Sequence, residues 1–277
     1  MNEKQGVKVR IVPMGGAETF APLVNTGRMD VAIASETDVR FAFDGKVAFE
    51  GRPLKDLRAI AALYSFQVGF FVKKDSPIKT VRDLKGKKVP ITFANQKSAH
   101  RHYLAVLAAH EMTESDLNGV KVPNVIRAAQ DFAQGKTVAS FFALGAGKVT
   151  EVSAQVGGIR FLSIDDSPEA IARIRKIAPG AYITVVEPRP GLTGILSSTK
   201  VLTENYMLFG GKHASDDVVY KFVKTLYEEK TRLSEAFARW KRYSPKKMAK
   251  DMKPIVYHPG AIKFYKEQGM WPPKSNF

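Results

Sequence analysis

The chain has 277 residues, of which 44% are hydrophobic and 25% charged, a balance typical of a folded globular protein. It contains no cysteine, which excludes disulfides, thiolate catalysis and cysteine-based zinc sites. No stretch approaches the roughly 20 apolar residues of a membrane-spanning helix, and the start of the chain lacks the apolar core of a signal peptide. The net charge of +16 favours anionic ligands or an acidic partner surface.

The first third of the chain alternates between predicted strands and helices. The expected elements are a strand at Val7–Val12, a helix at about Glu18–Asn25, strands at Val31–Ala34, Ala59–Ser65 and Val68–Lys73, and a short helix within residues 76–86. Ser35 and Asp38 can cap one further helix, which Gly45 would end.

The middle of the chain continues the alternation. The expected elements are strands at Lys87–Phe93, Val138–Ala143, Ile159–Ile164 and Tyr182–Val186, and helices at about Ser98–Glu111, Gly145–Val152 and Pro168–Ile177. The rest of the chain is strand-like to Phe209 and then helical. This pattern predicts an α/β fold with largely parallel sheets.

The last fifth of the chain is strongly basic. Residues 221–277 hold 14 Lys and Arg but only 5 Asp and Glu. The apolar residues here recur at helical spacing, so the lysines belong to the solvated face of an amphipathic helix. We therefore expect no nucleic-acid partner.

One sequence pattern occurs twice, at Phe20–Ala34 and Phe132–Leu144. Each copy predicts a helix end, a glycine and a short apolar strand, with Gly27 and Gly135 in the left-handed conformation beyond the helix. The apolar runs do not alternate, as in parallel strands covered on both faces. Two such copies predict two α/β lobes with a ligand-binding crevice between them.

Two loops before helices can offer backbone N–H groups to an anion, because the N-terminus of a helix is electropositive. In the first lobe the candidates are Gly15, Gly16 and Ala17, although a tight turn needs glycine in any case. The corresponding loop of the second lobe supplies Asn95, Gln96, Lys97 and Ser98.

Four further side chains are candidate ligand contacts. Ser35 and Thr37 offer hydroxyls after the strand at Val31–Ala34. Arg127 can pair a carboxylate bidentately, with a surface salt bridge as the alternative. Tyr182 can stack on or cap the ligand, with hinge packing as its alternative.

The chain carries no motif of a catalytic centre. Two of its five histidines, His100 and His102, lie two residues apart and point away from each other on a helix, so they make a poor metal pair. His258 lies in a helix-start turn, where we expect a structural role. We predict that the protein is not an enzyme and uses no cofactor or metal.

Five segments together carry a family resemblance: Asn25–Ala34, Gly51–Tyr64, Val81–Val89, Pro123–Thr137 and Tyr257–Trp271. They resemble the TAXI family, the extracytoplasmic solute-binding subunits of TRAP transporters. The resemblance implies a two-lobed type II periplasmic-binding-protein fold that closes on a small organic anion, such as a dicarboxylate or glutamate. It also implies delivery of the anion to the membrane subunits of a sodium-driven TRAP permease. We further expect a periplasmic location and a monomer.

From the order of the predicted elements, we assign residues 1–86 and 185–277 to the first lobe and residues 87–184 to the second. Hinge strands are expected near Tyr64–Val72 and Tyr182–Val186. Family members usually have a further strand and helix before the strand expected at Val7–Val12, and the chain lacks this unit. A fragment, a misassigned start and a divergent member are the three explanations.

A ligand-sensing module of the same fold in a regulatory system is the alternative to a transport receptor. A neighbouring permease gene would favour transport. An appended DNA-binding or signalling domain would favour sensing.

Overall fold

The structure is a computed structural model that describes residues 6–14, 16–236 and 238–273. Its helices are α1 (Ala17–Asn25), α2 (Glu36–Asp44), α3 (Lys97–Ala109), α4 (Val125–Ala133), α5 (Gly147–Gln155), α6 (Pro168–Ile177), α7 (Asp216–Glu228), α8 (Lys230–Ala236) and α9 (Pro259–Glu267). Its strands are β1 (Val31–Ser35), β2 (Leu57–Lys73), β3 (Lys88–Ile91), β4 (Asn118–Lys121), β5 (Ala139–Ala143), β6 (Ile159–Phe161), β7 (Ala181–Val186) and β8 (Thr199–Gly211). The mixed α/β class is therefore confirmed.

Most strand pairs are antiparallel, which corrects the prediction of largely parallel sheets. β1 pairs antiparallel with β8, β5 and β6 with β2, and β7 with β8. β3 and β4 form a separate parallel pair. The prediction failed because an unbroken apolar run indicates burial of both faces but carries no information on strand direction.

The chain divides into two compact units. The first unit contains Met1–Ser65 and Asn205–Phe277, and the second contains Phe66–Glu204. β2 and β8 each contribute residues to both units. The expected lobe boundaries, at 86/87 and 184/185, fall inside the second unit. Because a lobe is defined by its movement on ligand binding, those boundaries stay a prediction.

The core of the first unit is built from α1, β1, α2, the first half of β2, the second half of β8 and the C-terminal helices. Tyr265 of α9 is fully buried, and its hydroxyl donates a 2.7 Å hydrogen bond to the carbonyl of Ile60. His258 is the N-cap of α9, where its Nδ1 accepts from the N–H of Gly260 and its Nε2 lies 3.1 Å from the carbonyl of Ala214. The predicted structural position of His258 at a helix start is thus confirmed.

The core of the second unit centres on aromatic side chains from β2, α3, β5 and the loop after β3. Phe70 of β2 meets Tyr103 of α3 and Phe141 of β5 edge to face, with ring centroids 4.9 Å and 5.2 Å apart. Phe93 joins them 5.1 Å from Tyr103. Such pairs stabilise the fold beyond the area they bury.

Both copies of the repeated pattern have the predicted turn. Gly27 and Gly135 follow α1 and α4 with φ of 75° and 73°, in the left-handed region. The strands that follow are unequal, because the first four residues of β5 are buried whereas Ile33 of β1 is 46% exposed. The local pattern therefore determines the turn but not the burial of the strand.

Two predicted elements are wrong. Residues 6–14 form neither helix nor strand, and the side chain of Ile11 is 84% exposed, so no apolar face is buried there. Residues 76–86 contain only a single 3₁₀ turn, Arg82–Leu84. Among the described residues, no helix has the length and apolarity needed to cross a membrane.

His110, at the end of α3, is buried among charged neighbours. Burial, reinforced by Arg82 and Arg173 and opposed by Asp165, lowers the pKa of His110 to about 4. Its Nε2 accepts a 3.3 Å hydrogen bond from the N–H of Asp165, which requires the unprotonated nitrogen. The folded protein thus favours the neutral ring.

Replacing Gly260 by alanine should destabilise the first unit, because the new Cβ would overlap the carbonyl oxygen of Asp216. Overpacking of this kind costs about 1–3 kcal/mol. The matched control is Gly147→Ala at the first position of α5, where no described atom lies within 4 Å of the new Cβ. The control should be neutral or stabilise by up to about 1 kcal/mol. Urea denaturation checks both, and equal losses in the two variants would contradict the argument.

The free energy of unfolding should fall as the pH is lowered from 6.5 to about 4, because the unfolded His110 then binds protons that the folded one does not. His110→Gln keeps an acceptor for Asp165 and removes this titration. Its unfolding free energy should therefore change less across the same pH range. Denaturation series at several pH values measure both slopes, and identical slopes would refute the assignment to His110.

Candidate functional site

The N-termini of α3 and α4 lie side by side in the second unit. β3 and β4 pair in parallel with Ile91 opposite Lys121, so both strands end at the same edge and lead into these two helices. Gln96, the N-cap residue of α3, accepts a 3.1 Å hydrogen bond through Oε1 from the N–H of Val125, the first residue of α4. Two electropositive helix ends are thus tied together.

The loop before α3 holds two non-glycine residues in the left-handed region, Thr92 at φ 78° and Phe93 at φ 43°. Such backbone costs on the order of 1–3 kcal/mol per residue and persists only where its surroundings enforce it. Here the Phe93 side chain is fully buried, and the N–H of Thr92 donates to Glu114 Oε1 at 2.8 Å. His100 Nε2 lies 3.0 Å from the same oxygen. The buried Phe93 ring and the hydrogen bond to Glu114 therefore both hold the turn in place.

The predicted contacts of this loop lie at its surface. Asn95, Gln96 and Lys97 are exposed and Ser98 is half-buried. The N–H of Asn95 donates to the carbonyl of Pro123 at 2.8 Å, which fixes the loop against the segment before α4. Lys97 forms no ion pair with a described residue. A free cation therefore stands beside the two helix ends.

Arg127, in the first turn of α4, forms a surface ion pair in this structure. Its Nε lies 3.0 Å from Asp131 Oδ1, and its side chain is 51% exposed. Lys136 Nζ lies 3.4 Å from the same oxygen. Asn124 caps the helix by accepting from the N–H of Arg127 at 2.9 Å. The surface salt bridge, one of the two predicted alternatives, is thus the observed arrangement.

In the loop before α1 of the first unit, a side chain of the protein itself lies where an anion was expected to bind. Gly15 lies outside the described residues. Gly16 is the N-cap of α1 at φ 73°, and Ala17 is buried. Both carboxylate oxygens of Glu18 stand 2.5 Å from the place where a Gly16 Cβ would be. A carboxylate of the protein itself therefore already lies at this helix end.

Ser35 and Thr37 are buried at the junction of β1 and α2. Ser35 Oγ accepts from the N–H of Asp38 at 3.2 Å and donates to Asp38 Oδ2 at 2.8 Å, so it caps α2 as predicted. Its role as a ligand contact stays a prediction. Tyr182 lies half-buried in β7 opposite Thr203, and its two predicted roles likewise stay open.

A buried charged cluster in the first unit was not predicted. Arg40 donates to Glu36 Oε1 from Nη2 at 2.7 Å and from Nε at 3.0 Å. Asn205 Nδ2 donates to Glu36 Oε2 at 3.2 Å, and Lys250 Nζ donates to Asn205 Oδ1 at 2.9 Å. Glu36 and Arg40 are four residues apart on α2, but Asn205 and Lys250 lie far from them in sequence, so no local pattern predicts the whole cluster.

Lys250 is held firmly in this cluster. The hydroxyl of Tyr257 donates to the Lys250 carbonyl at 2.8 Å and accepts from its N–H at 3.0 Å. Burial lowers the pKa of Lys250, Glu36 opposes this shift and Lys247 adds to it. The cluster thus joins Arg40 and Lys250 to Glu36, the residue that lies between the predicted contacts Ser35 and Thr37 in the sequence.

The remaining histidines pair with carboxylates. His102 Nε2 contacts Glu204 Oε2, and both side chains are buried in the second unit. Within the described ranges, no three His, Asp or Glu side chains gather in a way that could hold a metal ion.

Solved structures with the same fold support the architecture. A TctC solute-binding protein from Polaromonas is 15% identical with a TM-score of 0.54, over 84% of this chain and 76% of that protein. XAC2383 from Xanthomonas citri, bound to ATP, is 11% identical with a TM-score of 0.50, over 93% of this chain and 82% of that protein. The fold is thus that of the periplasmic binding proteins.

A third structure is the periplasmic aliphatic sulphonate binding protein SsuA from Escherichia coli. It is 17% identical with a TM-score of 0.47, and the match covers 81% of this chain. The chain spans 64% of the length of that protein. By their names, the TctC protein and SsuA are both binding proteins.

The family follows from the sequence itself. The sequence model of one family matches residues 1–269, which is nearly the whole chain. The match includes α3, α4 and the segment that contains Lys250. The chain therefore belongs to the NMT1-like family.

Proposed function

We propose that this protein is an extracytoplasmic solute receptor that binds a small organic anion, such as a dicarboxylate or glutamate, and delivers it to a TRAP-type membrane permease. The observation that carries the proposal is the pair of joined N-termini of α3 and α4 beside the free cation of Lys97. The fold and the family agree with a receptor.

Helix ends of this kind are suited to an anion. The first N–H groups of a helix have no partner within it, and the aligned peptide dipoles leave partial positive charge there. α3 has no side-chain cap, since the side chain of Gln96 bonds α4 instead. A carboxylate can therefore accept from the free N–H groups and from Lys97 in a charge-assisted contact.

The transport partner rests on the family resemblance. The segment Pro123–Thr137, which resembles the TAXI solute receptors, contains the N-terminus and the whole of α4. The candidate site thus lies partly in the segment that carries the resemblance. The location outside the cytoplasm, the monomeric state and the closure of two lobes on the solute belong to the same proposal.

Dicarboxylates and amino acids should raise the melting temperature in a thermal-shift screen. A true ligand at a hundredfold excess over Kd stabilises the protein by on the order of 3 kcal/mol. Lys97→Ala should weaken binding by about tenfold, because a hydrogen bond to a charged group contributes roughly 1.5–3 kcal/mol. Arg127→Ala should also weaken binding of the acid.

The matched control is Lys87→Ala, because Lys87 is exposed in the same unit but lies before β3 instead of after it. This variant should bind as the native protein does. A screen in which no acid shifts the melting temperature would refute the receptor proposal. Equal losses in the Lys87 and Lys97 variants would refute the site.

A further inference from the structure

We propose a second binding site, in the second unit, for a small carboxylic acid with a flat apolar body. It is a cavity of about 370 Å³ beside the turn of the second repeated pattern. Its wall includes Lys73, Lys74, Phe132, Gly135, Thr137 and Val156. Its volume lies within the range of small-molecule sites. The site is independent of the proposed transport function.

The cavity lies at the other end of the strands from the candidate site. The N–H of Val138, in the cavity wall, donates to the carbonyl of Lys88 at 2.9 Å, so the cavity is beside the first residue of β3. The helix ends of the candidate site follow Ile91, the last residue of β3. Lys88 and Ile91 are three residues apart along β3, and a strand of this length spans about 10 Å.

The two copies of the repeated pattern differ in what fills this place. In the first copy the ring of His213 lies 3.4 Å from where a Gly27 Cβ would be, and its Nε2 lies 3.2 Å from the carbonyl of Asn25. In the second copy no described atom lies within 4 Å of the corresponding Gly135 position. The fold thus accommodates a flat ring in one copy and leaves the equivalent space open in the other.

The two turns have equivalent neighbours in the sheet. β1, after Gly27, is antiparallel to β8, and His213 follows the end of β8. β5, after Gly135, is antiparallel to β2, and Lys74 follows the end of β2. The segments after β8 and β2 therefore hold corresponding positions beside the two turns.

The wall of the cavity favours an acid. Lys73 and Lys74 are exposed and form no ion pair with a described residue, and Asp75 is the single carboxylate in the wall. Thr137 is 3% exposed, and its hydroxyl has no hydrogen-bond partner among the described residues. A carboxylate would supply both the acceptor for this hydroxyl and the counter-charge for the lysines.

The rest of the wall favours an apolar body and is pre-formed. Phe132 and Val156 supply apolar surface. The N–H of Lys74 donates to the carbonyl of Gly158 at 3.0 Å. Arg160 donates to the carbonyls of Lys74 and Ser76 at 3.1 Å and 2.9 Å. A wall fixed in this way loses little freedom when a ligand binds.

Benzoate is the probe, and benzyl alcohol is its neutral counterpart. With the full chain labelled for ¹H–¹⁵N NMR, benzoate at millimolar concentration should shift the amides of residues 132–138 and 156–158 saturably. Benzyl alcohol should shift them less. An absence of saturable shifts with benzoate, or equal shifts with both probes, would overturn the proposal.

Variants test the named contacts. The double change Lys73→Gln and Lys74→Gln should weaken benzoate binding by about tenfold or more. Thr137→Val should also weaken it, whereas Thr137→Ser keeps the hydroxyl and should bind as the native protein does. Circular dichroism checks that each variant folds.

Two control variants make the result specific. Lys136 adjoins the cavity but pairs with Asp131, so Lys136→Gln should leave benzoate binding unchanged. Lys97→Ala alters the candidate site at the other end of the strands and should also leave it unchanged. If either control weakens benzoate binding as much as the double lysine change, the cavity is not the site.

Discussion

The parallel pairing of β3 and β4 is the constraint on which the candidate site depends. Parallel neighbours end at one edge of the sheet, so the helices that follow them must begin there together. The short loop from β3 to α3 achieves this only with two left-handed residues, Thr92 and Phe93. The buried ring of Phe93 stabilises that turn, so the packed core maintains the geometry at the surface.

Features set by neighbouring residues could be predicted from the sequence, whereas features set by distant ones could not. The bounds of α6 and the Ser35 cap of α2 depend on side chains within a few residues, and both are as expected. Strand direction and the failure of residues 6–14 to form a strand depend on which distant segment lies alongside. The cluster of Glu36 and Lys250 forms by the same kind of long-range contact.

The repeated pattern shows the same difference between features set by neighbouring residues and features set by distant ones. Gly27 and Gly135 adopt the same left-handed turn because the local requirement is the same. Their surroundings differ because the segment after β8 supplies His213 and the segment after β2 supplies Lys74. Two copies of one local pattern can therefore have one turn and two different environments, and an open space remains only where the distant segment lacks a ring.

The ion pair of Arg127 is compatible with a role in ligand binding. Asp131 is only 5% exposed, so it would be costly to leave this carboxylate without a cation. Lys136 lies 3.4 Å from the same oxygen and would remain there if Arg127 turned to a ligand. Because Arg127 itself is 51% exposed and Asp131 would keep Lys136, a bidentate contact with a ligand carboxylate can replace this ion pair. Under the proposed function, the observed salt bridge is the resting position from which Arg127 turns to the ligand.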